Sequence, residues 1–231
     1  MPHAIERELR ALADPKRAAV SRRFFKTGPG EYGEGDRFLG IPVPAVRALV
    51  ARHKDIALRE LDTLLSSPWH EVRAFALLAL VRAYEKGTSA DKKRIYELYL
   101  KRTEYINNWD LVDTSAEHIV GAHLLARGRA PLARLARSPN VWERRIAVLA
   151  TFHFIRRAEY DETLALAKRL LRDEHDLIHK AVGWMLREIG NRDGAVLERF
   201  LARHAAAMPR TMLRYAVERL PPARRAHFMK A

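Results

Sequence analysis

The chain has 231 residues, 48% of them hydrophobic, enough to bury a sizeable core as one domain or one repeat array. It has no cysteine, which excludes disulfides, iron–sulfur clusters, thiolate zinc sites and cysteine nucleophiles together. Lys plus Arg number 42 against 28 Asp plus Glu, and this surplus of +14 is spread among apolar residues at helical spacing, as on a folded surface that meets a polyanion.

Residues Met1 to Lys16 are charged throughout and lack the apolar stretch of a secretory signal. No apolar run reaches the roughly 18 residues of a membrane span, so a cytoplasmic protein is expected. Asp14-Pro15 opens a basic amphipathic helix that ends at Phe24-Phe25. The segment Lys26 to Asp36, KTGPGEYGEGD, then reads as a surface loop between the second and third helices. It contains GxGxxG at Gly28, Gly30 and Gly33. A dinucleotide fingerprint needs a strand before it and a helix opening directly after it. Here a helix precedes it, and Glu31, Glu34 and Asp36 repel phosphate, so no nucleotide site is assigned.

Further along, Pro68, Pro131, Pro139-Asn140, Pro209 and Pro221-Pro222 mark helix starts. Apolar residues recur at three- and four-residue spacing, as in Val72, Phe75, Ala76, Ala79 and Leu80, and again in Ile146, Leu149, Ala150 and Phe154. No stretch alternates with period two, so no strand is assigned.

Four segments share a turn, a basic residue and an apolar run: SPWHEVRAFALLAL, SPNVWERRIAVLATF, EHDLIHKAVGWML and MPRTMLRYAVERL. Aligning them puts Arg73, Arg145, Lys180 and Arg214 at one register, with Asp113 of NNWDLVDTSAEHIV in the same place. The steps are 40, 32, 35 and 34 residues, the length of a two-helix HEAT-like or ARM-like repeat. The expected fold is therefore all-α: an α-solenoid of stacked antiparallel helix pairs, residues 1–231 forming a single repeat domain. Its second helices would line a concave basic groove. One cation per repeat, about 10 Å apart, can track a phosphate backbone.

Asp113 is the acidic member of that row, and two readings of it stand. It forms an ion pair with Arg145 or caps a helix, or it is a carboxylate kept for chemistry, held ionised by neighbouring cations. All four Trp lie near the register. Trp109 is one turn before Asp113 and Trp184 one turn after Lys180, both on the groove face, whereas Trp69 and Trp142 suit core packing. Indole faces beside a carboxylate favour a cationic guest. Cleavage of the N-glycosidic bond of a cationic alkylpurine fits this set. Such a base leaves neutral without a general acid, and one carboxylate can oppose the developing oxocarbenium charge and place a water.

The sequence resembles the HEAT-like-repeat DNA glycosylases of the bacterial DNA alkylation repair family, the AlkD-like group, over roughly residues 5 to 220. The matching pieces are FLGIPVP at Phe38 to Pro44, NNWDLVD at Asn107 to Asp113, WERRIAVL at Trp142 to Leu149 and HKAVGWMLRE at His179 to Glu188. The resemblance implies that Asp113 is the catalytic carboxylate, that Trp109 and Trp184 line the cleft and that Arg145 is essential. It places Phe24 at an aromatic position near the lesion that is commonly Tyr. It implies monofunctional excision of N7-methylguanine and N3-methyladenine from duplex DNA, without flipping the base into a pocket. A monomer that associates with the nucleoid through DNA, with no cofactor and no metal, is expected. Arg73, Lys180, Arg214 and Phe24 are its expected DNA contacts. Two departures stand out: the loop Thr27 to Arg37 is longer, and Asn108 replaces a second Trp.

His175 and His179 share a helix face, but no third ligand is evident and no metal site is assigned. A lyase would need a lysine nucleophile; Lys180 is the groove candidate, and its basic neighbours favour a phosphate contact. The rival reading is a non-catalytic helical-repeat scaffold that binds DNA, RNA or an acidic protein. It explains the charge and the repeats but not Asp113 and its flanking indoles.

Overall fold

The computed structural model describes residues 4–230; Met1 to His3, part of the charged N-terminal segment, and Ala231 lie outside the described residues. All regular structure among them is helical apart from a single bridge between Arg37 and Trp69. No described helix is long and apolar enough to cross a membrane. The chain divides into two compact units, one ending at Ser115 and the other starting at Ala116.

The first unit contains α1 (Ala4–Ala11), α2 (Pro15–Phe24), α3 (Val43–Arg52), α4 (Leu58–Leu65), α5 (His70–Lys86), α6 (Ser89–Lys101) and the short α7 (Trp109–Asp113). Local chemistry sets the starts. Asp14 accepts from the amides of Lys16 and Arg17, with Pro15 preset for the first turn. Thr88 and Asp91 cap α6 reciprocally. The three- and four-residue apolar spacing of α5 becomes its buried face, with Val72, Phe75, Ala76 and Leu80 fully buried. α5 packs on α3, α4 and α6.

The second unit opens with a π-helical turn, Glu117–Gly121, that runs into α8 (Ala122–Leu124). It continues through α9 (Ala130–Leu135), α10 (Val141–Ala150), α11 (Phe152–Ile155), α12 (Asp161–Arg169), α13 (Asp176–Gly190), α14 (Gly194–His204), α15 (Arg210–Ala216) and α16 (Pro222–Met229). Most proline starts fall where expected: Pro131, Pro209 and Pro222 lie within one residue of helix entry and Asn140 caps α10, while Pro68 lies two residues before His70, the first residue of α5. α13 is the central helix, packed on α10, α12, α14 and α15. Gly183 permits a close approach of α15, since a Cβ there would lie 2.5 Å from the Met212 carbonyl oxygen.

Both units are built of helix pairs in a repeat-like arrangement, and a recurring turn marks it. Ser67, Ser138 and Asp173 each accept, through the side chain, the amide two residues on. Each carbonyl is bonded by the side chain six residues on: Arg73, Arg144 and His179. The repeat equivalent of Arg73 is therefore Arg144, not Arg145. The alignment on basic residues slips by one position between SPWHEVR and SPNVWERR.

Candidate functional site

In the first unit the site is built on α7 and the long loop that precedes α3. The segment Phe38 to Pro44 is fixed by one carboxylate: Glu71 accepts the amides of Leu39, Gly40 and Ile41 at 2.8, 2.7 and 3.2 Å. Gly40 has φ +83°, and a Cβ there would lie 2.2 Å from the Asp14 carbonyl oxygen, so only glycine fits. In the preceding Gly-rich stretch, Glu31 and Glu34 hold the amides of Gly28 and Gly30 at 2.8 and 2.9 Å. Carboxylates of the loop itself thus occupy amides that a phosphate would need.

The loop ends at Asp36, which is buried. One oxygen faces His70 Nδ1 at 2.8 Å and accepts from Asn108 Nδ2 at 3.2 Å; the other accepts from Arg73 at 2.7 Å. The second ring nitrogen of His70 faces Asp110 at 2.8 Å. Burial alone would depress the His70 pKa, but Asp110 and Asp36 on either side raise it to about 9. Burial would likewise raise Asp36, yet His70 and Arg73 hold it below the usual carboxylate range. The ring is therefore an imidazolium donating from both nitrogens.

Above this cluster the aromatic rings form a stack. Phe38 lies 4.9 Å from Phe25, and Phe25 lies 5.3 Å from Trp109. Phe24 meets the edge of Trp109 at 5.9 Å and is 64% exposed. Asn108 caps α7 by accepting the Trp109 amide at 2.9 Å. Trp109 and Asp113 follow one turn apart, both half-buried. Burial pushes the buried Tyr99 phenol up in pKa and the charge of Asp113 adds to this, while its hydrogen bond with Ser115 opposes. The structure thus brings Phe24, Trp109 and Asp113 onto neighbouring elements of one unit.

Arg73 is a correction. Expected to face a groove, it is 4% exposed, with its guanidinium bound to Asp36, the Ser67 carbonyl and Asn107. A buried carboxylate requires a cation, and here the loop supplies that carboxylate from 37 residues away. Trp69 is half-buried under the Arg10 guanidinium, 5.4 Å from its ring centre.

In the second unit Arg145 is likewise interior, and it donates to the Leu177 carbonyl at 2.6 Å, tying α10 to the first turn of α13. Its expected exposure to DNA is corrected on the same ground. Trp142 is buried, as core packing requires. Lys180 is half-buried and pairs with Asp176 at 2.7 Å, while Arg214 stands exposed on α15. Trp184 is half-buried; its indole donates to Glu188 at 3.2 Å and its ring faces Phe152 at 6.0 Å. Arg156 and Arg192 lie over Phe152 at 4.5 and 5.7 Å. Arg156 also pairs with the buried Glu117 at 2.7 Å. Burial, helped by Arg157, His118 and Arg156, brings His153 down to about 4. His175 caps α13 by accepting the Leu177 amide, and His179 bonds the Asp173 carbonyl, so both rings serve the turn.

Sequence reasoning missed Asp36, His70, Asp110, Phe25 and the surroundings of Trp184. Asp110 sits inside the W-D-x-V-D motif, and that was the available signal.

The sequence matches the family described as "DNA alkylation repair enzyme" over residues 5–220. Among curated proteins, none matches it. The fold is similar to that of a solved structure described as "Predicted DNA alkylation repair enzyme from Enterococcus faecalis", with a TM-score of 0.70 and 17% identity. That likeness spans 91% of this chain and 97% of the other. With the matched segment running through both units, from α1 to the end of the α15 turn, the chain belongs to the DNA alkylation repair enzyme family.

Proposed function

We propose that the protein is a monofunctional DNA glycosylase that hydrolyses the N-glycosidic bond of cationic alkylpurines, N7-methylguanine and N3-methyladenine, in duplex DNA without flipping the base into a pocket. The observation that carries this reading is α7, where the half-buried Asp113 stands one turn from a Trp109 indole that is backed by Phe25 and edged by exposed Phe24. The family supplies DNA repair; the residues supply the chemistry.

The alkylated base is already positive. As its bond to C1′ breaks, the electron pair moves into the purine, which leaves neutral, and positive charge builds on the sugar. The Asp113 carboxylate opposes that charge and orients a water whose oxygen bonds C1′ and whose proton is lost to solvent. The indole face of Trp109 attracts the cationic sugar through its negative π surface, and Trp184 is proposed to offer the same kind of surface to bound DNA. Phe24 packs against the duplex, and Lys180 and Arg214 take phosphates. Arg145 acts from inside, by fixing the start of the helix that carries Lys180 and Trp184.

The test is single-turnover excision from duplex DNA containing N7-methylguanine. Asp113→Asn is nearly isosteric but neutral. It is expected to lower the rate by about 10²–10³ and to leave DNA affinity equal or higher, because a carboxylate repels phosphate. Wild-type rates in that variant would make Asp113 structural. A wild type that releases no base from any cationic lesion would leave a non-catalytic scaffold that binds DNA, RNA or an acidic protein.

A further inference from the structure

We propose that His70 is a positioning residue: clamped between Asp36 and Asp110, it sets the helix that carries Trp109 and Asp113 and so governs excision without touching DNA. The proposal rests on the glycosylase reading for its consequence but not for its geometry.

α7 has five residues, too few to hold helical shape by themselves. Its stability must come from what its first turn is fastened to. Two fastenings are present. Asn108 bonds the Trp109 amide through its side-chain oxygen and Asp36 through its side-chain nitrogen. Asp110, the second residue of the helix, is held by His70 at 2.8 Å. Both lead to Asp36, at the end of the Gly-rich loop. The Gly-rich loop and the cap of α7 thus meet in one hydrogen bond of 3.2 Å between Asp36 and Asn108.

The clamp also requires charge. A neutral imidazole has one N–H and would turn a lone pair toward one of the two carboxylates. With His70 protonated, two anions (Asp36 and Asp110) face two cations (His70 and Arg73). The His70 side chain is 4% exposed and Asp36 1%, so neither reaches a DNA strand. Phe25 stacks on Trp109 and lies 5.0 Å from His70, so the ring also supports the indole platform from beneath. Small displacements of reacting groups are costly: about 1 Å of misplacement can lower a rate by 10²-fold.

The experiment uses the full chain and two variants, His70→Gln and Asp110→Ala. Asp110 is 21% exposed, so its truncation is the milder change and decides the question if His70→Gln fails to fold. Amide hydrogen exchange at Trp109, Val112 and Thr114 is compared with exchange in α4. Single-turnover excision and affinity for undamaged duplex are measured alongside. The expected result is a rise of about tenfold or more in α7 exchange with α4 unchanged, and a fall of about 10- to 100-fold in excision rate with affinity held within about twofold. Unchanged α7 exchange, or a rise shared equally by α4, would overturn the clamp. If α7 loosens and excision does not slow, the positioning role falls. If the wild type excises nothing, the glycosylase reading fails and the exchange data alone judge the clamp.

Discussion

At the scale of single residues, Asp36, His70 and Arg73 gather buried charge of both signs in one cluster of the first unit. His70 has a folded pKa raised to about 9 from an ordinary 6.5. A raised basic group contributes stability that is complete below about pH 6.5 and is lost as pH climbs through 9. Two to three pKa units correspond to a contribution on the order of 3 kcal/mol. Urea unfolding of wild type and His70→Gln from pH 6 to 9.5 is expected to show the gap between them narrowing over that window; a constant gap would mean that folding does not raise the pKa of the ring. This residue was not legible in the sequence. His70 lies 34 residues from Asp36 and 40 from Asp110, and periodicity reports neighbours on one helix, not partners brought together by a loop. Trp109 and Asp113 were legible because they share one helix turn. Arg73 was misread because its chemistry depends on the same distant Asp36.

At the scale of elements, the sequence was most readable where local physics decides. Proline, Asp and Asn at helix entries mark starts through groups a few residues away, and nearly all such starts hold. The register failed by one residue because it aligned positive charges, whereas the structure aligns a turn: a side-chain acceptor at Ser67, Ser138 or Asp173 whose carbonyl is bonded six residues later. Close packing was hidden too. Gly183 reads as a helix weakness until α15 is seen beside it. A Cβ at this position would press within 2.5 Å of both the Met212 carbonyl oxygen and the Tyr215 Cβ. Gly183→Ala is therefore expected to destabilise the fold by about 1–3 kcal/mol, despite alanine's better helix propensity. Thermal unfolding checks this; a gain in melting temperature would mean that α13 and α15 can separate freely.

At the scale of the whole molecule, the number of basic residues overstates how many side chains a polyanion meets. The 42 basic residues include Arg73, Arg144 and Arg145, which bond carbonyls and carboxylates of the chain itself. Arg102 holds Asp62 through two nitrogens at 2.7 and 3.0 Å in the same way. DNA affinity is expected to fall steeply with salt, and Arg214→Ala to reduce the slope of log affinity against log salt by about 1. Arg73→Ala is expected to leave that slope alone while costing about 3–5 kcal/mol of stability, since it takes the guanidinium from one oxygen of the buried Asp36. Equal slopes for wild type and Arg214→Ala would remove Arg214 from the interface.

The internal arginines have one more consequence, for reactivity. A guanidinium whose nitrogens already donate to backbone carbonyls is shielded from a dicarbonyl reagent, because both adjacent nitrogens must be free to close the adduct ring. The 32 arginines should therefore separate into a fast-modified class that includes Arg214 and a slow class that includes Arg73 and Arg145. Added duplex should protect members of the fast class only. Lysine in place of the slow class would preserve every charge and still loosen the turns, because an ammonium cannot span a carbonyl and a carboxylate as the planar fork does.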